Sequence, residues 1–408
     1  MELRASSGRP SPCRRFRLGV DFHTWDGIFQ GTRSHILGLY REAVALAPHV
    51  DFFFFLDGVQ SLRDAHEPFS APNVRLVKMP RRGGLSRLVF QLPLLQRRLR
   101  LDLLHTQYRL PFLSVGPCAV TIHDILHETL PHCYLHSYVW DAKLTFRHAA
   151  RRAKTVFTVS EFSKREIAAQ YAVPSGRIHV TPNAIDSSRF YPAQGPDSRL
   201  DALGLSHQGY ILNVGRLEPR KNHLALLDAY SQLPANAPPL AVVGQRDFGY
   251  QAIFRRIREL RLQNRVRFFE KISDDFLPVI MRHAALFVFP AISEGFGLPV
   301  LEAMASGVPV LASRAGALAE IGGDAIVPAP PHDSRELARL VQWALSDESL
   351  RSRMAAQGLA QAAMFQWSCS AQILLRAICP PSVPRRAYIL DNDAASEPSS
   401  TPGFAQRE

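Results

Sequence analysis

The stretch that decides the reading is "PAISEGFGLPVLEAMASGVPVLAS", residues 290–313, in which Glu294 and Glu302 stand eight positions apart. An apolar run, LFVFP, leads into it and another, VPVLAS, closes it. The first run predicts a strand ending at Pro290. GFG predicts a flexible turn, and LPVLEAMAS a helix with Pro299 in its first turn, where a missing N–H does no harm. Gly307 marks the end of that helix. Free N–H groups at a helix start, approached through glycines that carry no side chain, form an anion site. Glu294 is expected in the loop before this point and Glu302 in the first helical turn. Two carboxylates would repel an anion there, so they are expected to accept hydrogen bonds from hydroxyls beside it.

A second stretch supplies positive charge. NVGRLEPRKN, residues 213–222, reads as a strand, a glycine, then Arg216 with Lys221 five positions on. A planar guanidinium fork and a compact ammonium suit a diphosphate. Alone, the pattern describes a solvated loop. Together with the paired glutamates about 75 residues later it describes a site for a nucleotide sugar, an anion flanked by hydroxyls.

Outward from these motifs, short apolar runs alternate with helical patterns. They are RLGVDF, VDFFFFLD, VRLVKM, LDLLHT, CAVTIHD, KTVFTVS and IHVTPN in the first half, then YILNVGR, PLAVVGQ, RVRFFE, ALFVFP and VPVLAS. Runs apolar on both faces and separated by helices point to parallel sheets covered on both sides. The expected class is therefore α/β, with two Rossmann-like doubly wound domains facing across a cleft and ligands at strand C-termini. At 408 residues the chain exceeds one ordinary core. The expected division is a basic leader over 1–15, a first domain over 16–190 and a Pro/Gly-rich linker over 191–208. A second domain with a closing helix follows over 209–385, then a polar, disordered tail over 386–408.

Composition removes several classes. No run reaches the ~18 uninterrupted apolar residues of a membrane span, and the N-terminus lacks the apolar core of a secretory signal. The five cysteines are odd in number and form no CxxC pair, which argues against disulfides and a zinc site and for a reducing, cytoplasmic compartment. Residues 1–190 carry 26 Lys and Arg against 15 Asp and Glu; residues 191–408 carry 22 against 21. Much of the excess lies in RRGGLSRLVFQLPLLQRRLR, residues 81–100. This segment reads as the solvated edge of a core helix or as a contact for an anionic membrane surface. Nucleic acid is not expected, because no recognition pattern or aromatic interleaving accompanies the charge.

The two motifs, in this order and with VRFFEKISDDFLPVIMRHAALFVFP between them, resemble the donor half of retaining GT-B glycosyltransferases of family four. The resemblance is closest over residues 210–326. It implies that Arg216 and Lys221 meet the diphosphate, that Glu294 holds hydroxyls of the donor sugar and that Glu302 holds the ribose. It places the backbone of Gly295, Phe296, Gly297 and Leu298 near phosphates or sugar. Glu270 and Lys271 stand where that family often has glycine, near the nucleobase, so the base stays open between GDP and UDP, with a GDP-linked donor as the expectation. In the first half, TIHD ends a strand at His123, the family's cleft histidine; the alternative is a strand cap. Asp124 orients that loop or caps a helix. TVSEFSKREI places Ser160 and Ser163 at a strand-to-helix turn, although Ser163 with Glu166 also fits a capping box. GIFQGTRSHILGLY sets Gly31 and Arg33 toward the cleft, and TPNAID reads as hinge.

The resemblance thus implies a retaining hexosyltransferase of mannose or rhamnose type. It would act on a glycan or polyprenyl-diphosphate-linked acceptor in polysaccharide or lipopolysaccharide assembly, on or near the inner membrane face. It would need no metal and no cofactor beyond the nucleotide sugar, since cations at the diphosphate can replace a divalent ion. A nucleotide-sugar epimerase on the same fold and a non-catalytic, membrane-associated nucleotide-binding scaffold are the alternatives. The epimerase would need an additional acid/base set, and the scaffold would have no reason to keep Arg216, Lys221, Glu294 and Glu302 together.

Overall fold

A computed structural model describes residues 14–27 and 31–379. The leader up to residue 13 and the expected tail lie outside the described residues. Seven strands make the first sheet: β1 (Phe16–Asp21), β2 (Val50–Leu56), β3 (Val74–Lys78), β4 (Leu103–Gln107), β5 (Cys118–Thr121), β6 (Thr155–Thr158) and β7 (Ile178–Val180). Their order is β3-β2-β1-β4-β5-β6-β7, parallel throughout. The second sheet holds β8 (Ile211–Val214), β9 (Leu240–Val243), β10 (Val266–Phe269), β11 (Leu286–Phe289), β12 (Val310–Ala312) and β13 (Val327–Pro328). Its order is β10-β9-β8-β11-β12-β13, again parallel.

The run VDFFFFL, apolar at every position but Asp51, shows why these strands lack an alternating pattern. Phe52 and Phe54 enter one core cluster with the Gly31–Leu46 helix, while Phe53 and Phe55 enter another on the opposite face. Successive side chains point to opposite faces of a strand, so a sheet covered on both sides needs an unbroken apolar run. Each sheet reverses direction at a switch point, between β1 and β4 in the first and between β8 and β11 in the second, and such points are where open α/β sheets bind ligands. Asn213 on β8 stitches the second switch by donating from Nδ2 to the Val288 carbonyl of β11 at 2.8 Å.

Two features differ from the expected division. Leu200 and Leu205 are buried in the second domain's core, and Pro192 already lies against Gly307. Much of the expected linker therefore folds with the second sheet, because its leucines have apolar area to bury. Second, the closing helix Trp367–Ile378 does not stay with the second domain. Ala371, Leu374, Leu375 and Ile378 fill the first domain's core beside Ile36, Tyr40 and Val44. Ser370 Oγ donates to the Pro182 carbonyl at 2.7 Å. The chain thus crosses between domains twice, once after β7 and once just before Trp367.

Candidate active site

The two sequence motifs leave the carboxyl ends of β8 and β11, the strands that flank the second switch point. After β8, a short turn over Pro219–Lys221 ends at Asn222, which adopts a left-handed backbone with φ +59°. Asn222 is fixed there because its Nδ2 donates to the carbonyls of Pro290 (2.9 Å) and Pro331 (2.6 Å). This anchors the β8 loop to the β11 loop and turns Lys221 inward. Lys221 is buried, its Nζ 2.5 Å from Glu294 Oε1 and 5.1 Å from the centre of the Phe289 ring.

Glu294 takes a second cation that the sequence reading passed over. Arg220 reaches Glu294 Oε2 through Nη1 at 2.8 Å and Glu218 Oε1 through Nη2 at 2.6 Å. The four side chains form a buried chain of alternating charge: Lys221, Glu294, Arg220, Glu218. Burial pushes the Glu294 carboxyl up, but the adjacent Arg220 and Lys221 charges outweigh it and hold the group below the usual carboxylate range. Burial draws the Lys221 ammonium down, and Glu294 opposes that. Arg216, by contrast, has a side chain 43% exposed and pairs with Asp247. Sequence spacing singled out Arg216 and Lys221; Arg220 lay between them in the same loop, and only the turn at Asn222 shows which cations turn inward.

The glycines of the β11 loop are there for space. A side chain on Gly295 would collide with Asp124 of the first domain, its Cβ 2.5 Å from the aspartate's. Gly297 has φ +101°, and a Cβ there would strike Leu318. Phe296 is buried and meets Phe365 edge-on at 5.9 Å, so only its backbone remains for a ligand. Leu298 opens the Leu298–Ala305 helix and faces Gly31, whose Cβ would sit 3.2 Å from Leu298 Cδ1. The start of the Gly31–Leu46 helix and the start of the Leu298–Ala305 helix therefore confront each other across the cleft. Glu302 falls in the second turn rather than the first, because it is the fifth residue of a helix that begins at Leu298. It borders a cavity of about 270 Å³ with Arg41, Asp186, Arg189 and Trp367. Burial pushes its carboxyl up to about 7, with Arg189 opposing and Asp274 assisting.

On the first domain, His123 follows β5 and is buried. Its Nε2 donates to Gln107 Oε1 at 3.1 Å, and its ring meets those of His35 (4.8 Å) and Tyr108 (5.2 Å). His35 is held in turn by Asn183 at 3.0 Å. Burial, helped by His35 and His105, keeps the His123 imidazole far below its ordinary value and hence neutral. Tyr108, which sequence reading missed, adopts φ +60° and its hydroxyl lies 3.3 Å from Thr32 Oγ1. Asp124 Oδ1 accepts from the Leu126 N–H at 3.2 Å and so shapes its loop. Arg33 packs over the Trp25 ring at 4.3 Å.

Ser160 is not open to an acceptor, as expected of it, because its hydroxyl is already committed. It donates to the Gly295 carbonyl at 2.7 Å and accepts from the Ser163 N–H at 3.1 Å. Ser160, not Ser163, is therefore the helix cap, and the V-S-x-x-S turn is a domain-to-domain contact. Ser163 Oγ adds a bond to the same carbonyl at 3.3 Å.

Comparison with known proteins identifies the family and the fold. Residues 29–189 match the family Glycosyltransferase Family 4, and residues 201–361 match Glycosyl transferases group 1. The O-antigen chain mannosyltransferase B of Escherichia coli is 35% identical over 261 residues, 62% of this chain and 68% of that protein. The serotype-specific mannosyltransferase WbdA of Escherichia coli is 32% identical over 232 residues, and the match covers only 28% of its length. Sucrose-phosphate synthase from Thermosynechococcus elongatus superposes with a TM-score of 0.71 at 22% identity, over 89% of this chain and 98% of that one. WaaG, a glycosyltransferase involved in lipopolysaccharide biosynthesis, superposes with a TM-score of 0.64 at 20% identity, over 89% of this chain and all of that one. The chain belongs to the group 1 and family 4 glycosyltransferases and has their GT-B fold.

Proposed function

We propose that this glycosyltransferase moves a hexose, mannose in first place, from a GDP-linked donor to a hydroxyl of a glycan or polyprenyl-diphosphate-linked saccharide. The reading includes retention of configuration, metal independence and action at the cytoplasmic face of a membrane. Mannose is supported by the similarity to O-antigen chain mannosyltransferases. Among the described residues no helix is long and apolar enough to cross a membrane.

The observation that carries the reading is Glu294 held between Lys221 and Arg220 at the end of β11, at the edge of a cleft whose opposite wall carries Asp124 and His123. A donor diphosphate arriving here competes with Glu294 for the two cations and frees its carboxylate for hydroxyls of the departing sugar. The leaving diphosphate gains charge in the transition state, and cations already fixed in a dry site stabilise that charge without reorganising. Neutral His123 can accept a hydrogen bond from a sugar hydroxyl but carries no charge to repel the cationic character of the reacting carbon. In this reading Glu302, which borders a cavity, accepts from ribose hydroxyls.

The test is thermal unfolding in the presence of GDP-, UDP-, ADP- and TDP-sugars, with EDTA throughout, for the wild type and Glu302→Ala. A ligand bound only by the native state raises the midpoint with its concentration. GDP-mannose should do so in the wild type and lose most of that effect in the variant. No shift from any nucleotide sugar at millimolar concentration would sink the proposal.

A further inference from the structure

Away from the donor site, the first domain carries a cavity of about 230 Å³ lined by His23, Asp26, Arg81, Arg82, Arg87 and Gln91. It opens beyond the carboxyl ends of β1 and β3. The two carboxylates nearby are already engaged. Asp21 is fully buried, ion-paired with Arg87 and 3.0 Å from His23 Nδ1. Asp26 accepts from the Asp57 N–H at 2.8 Å and the Gly58 N–H at 2.7 Å. Arg81 and Arg82 are exposed and have no carboxylate partner among the described residues. Gln91 Nε2 donates to the Pro80 carbonyl at 3.0 Å and so ties the arginine loop to the helix behind it. The cavity thus presents two unneutralised guanidinium groups on a fixed loop, a setting for a phosphate.

The wall beside it is apolar and open. Leu85, Phe90 and Leu94 are exposed by 70%, 68% and 65%. Residues Arg87–Gln91 form a π-helical turn, which inserts one residue into the helical repeat. The five-residue step from Leu85 to Phe90 spans that turn, and a normal four-residue step leads on to Leu94. The three side chains therefore share one stripe, with Arg97 and Arg98 exposed at its end. A soluble helix has no reason to expose three large apolar side chains in a line next to unpaired arginines. A ligand that is anionic at one end and apolar along its length matches both features.

We propose that this cavity binds the phosphate or diphosphate of an acceptor carried on a long apolar chain, with that chain lying along Leu85, Phe90 and Leu94. The inference rests on the glycosyltransferase reading above and specifies its acceptor. The arginine loop follows β3, four strands from β5, about 20 Å along the sheet edge, so a saccharide of several residues attached to the phosphate would extend toward His123.

The experiment is partition of the full chain onto phosphatidylcholine vesicles of three kinds: unmodified, with a few mole per cent polyprenyl phosphate, and with phosphatidylglycerol at equal charge. It compares wild type, Arg81→Gln/Arg82→Gln and Leu85→Ser/Phe90→Ser, with nucleotide-sugar stabilisation measured in parallel. Wild type should favour polyprenyl phosphate over both other surfaces, and the arginine variant should partition about 30-fold more weakly. The serine variant should also lose the preference, and both variants should keep the donor's thermal shift. Equal partition onto phosphatidylglycerol would show a general anionic-surface contact and overturn the proposal. Unchanged partition in the arginine variant would overturn it too, while an intact donor shift would leave the transferase reading standing.

Discussion

At the scale of single residues, Arg220 and Arg216 make a contrast that sequence spacing hides. Arg220 bridges Glu294 and Glu218 in a buried network, so Arg220→Met leaves a buried carboxylate without its partner and should destabilise the protein by about 3 kcal/mol. Arg216 is half in solvent, and exposed pairs contribute about 1 kcal/mol or less. Arg216→Ala should therefore leave the unfolding midpoint nearly unchanged while lowering kcat/KM about 100-fold if it meets the diphosphate. A large stability loss in Arg216→Ala would contradict that division. Glu302 gives a pH signature. Its carboxyl is raised from 4.5 to about 7 in the folded protein. The folded state therefore holds that proton more tightly than the unfolded chain does. Its contribution to stability is full below pH 4.5 and is lost as pH rises through 7. Glu302→Gln should remove this slope, worth up to about 3 kcal/mol, as read from denaturant unfolding at pH 5 and pH 8 (roughly two limits of the window). Nucleotide binding should run the other way in the wild type and tighten as the carboxylate ionises, because the anion is the better acceptor for ribose hydroxyls.

At the scale of elements, the Gly295 loop and the Ser160 turn form the joint between domains. Gly295→Ala would drive its Cβ into Asp124 and, through overpacking, should cost about 1–3 kcal/mol while parting Ser160 from its carbonyl. Asp124→Gly in the same chain removes the obstructing atoms and should restore the midpoint; failure to restore it would mean the loop conformation itself, not the contact, needs glycine. The elements themselves were largely legible. Each of the twelve apolar runs overlaps one of the strands β1 to β12, because strands buried on both faces cannot hide their composition. Only β13, two residues long at Val327–Pro328, escaped, being too short to leave a pattern. The site was legible only in part. Glu294, Lys221 and His123 sit on distinctive motifs at strand ends. Arg220's inward turn, Tyr108's left-handed backbone and Ser160's bond to Gly295 depend on partners far away in sequence, and a local pattern carries no record of those.

At the scale of the whole molecule, the helix Trp367–Ile378 ties the chain's end back to its first domain. Two crossings side by side constrain relative motion of the domains more than one tether would, so closure over a donor is expected to follow a restricted path. Gly38 is where this helix seats: a Cβ there would enter the Trp367 ring. Gly38→Ala should therefore lower the unfolding midpoint by the equivalent of about 1–3 kcal/mol, and raise the susceptibility of the C-terminal helix to limited proteolysis. A variant with wild-type midpoint and cleavage pattern would show that the seat tolerates displacement.

The same arrangement has a consequence for how the protein is made. The core that Ile36, Tyr40 and Val44 help to build is completed by residues near the end of the chain. On the ribosome, the stretch from β7 to that helix takes about 10 to 40 s to synthesise. Throughout that interval the first domain has emerged with an apolar groove still uncovered. The order of synthesis thus leaves the older half of the nascent chain waiting for the youngest, and the groove is the surface a chaperone would meet.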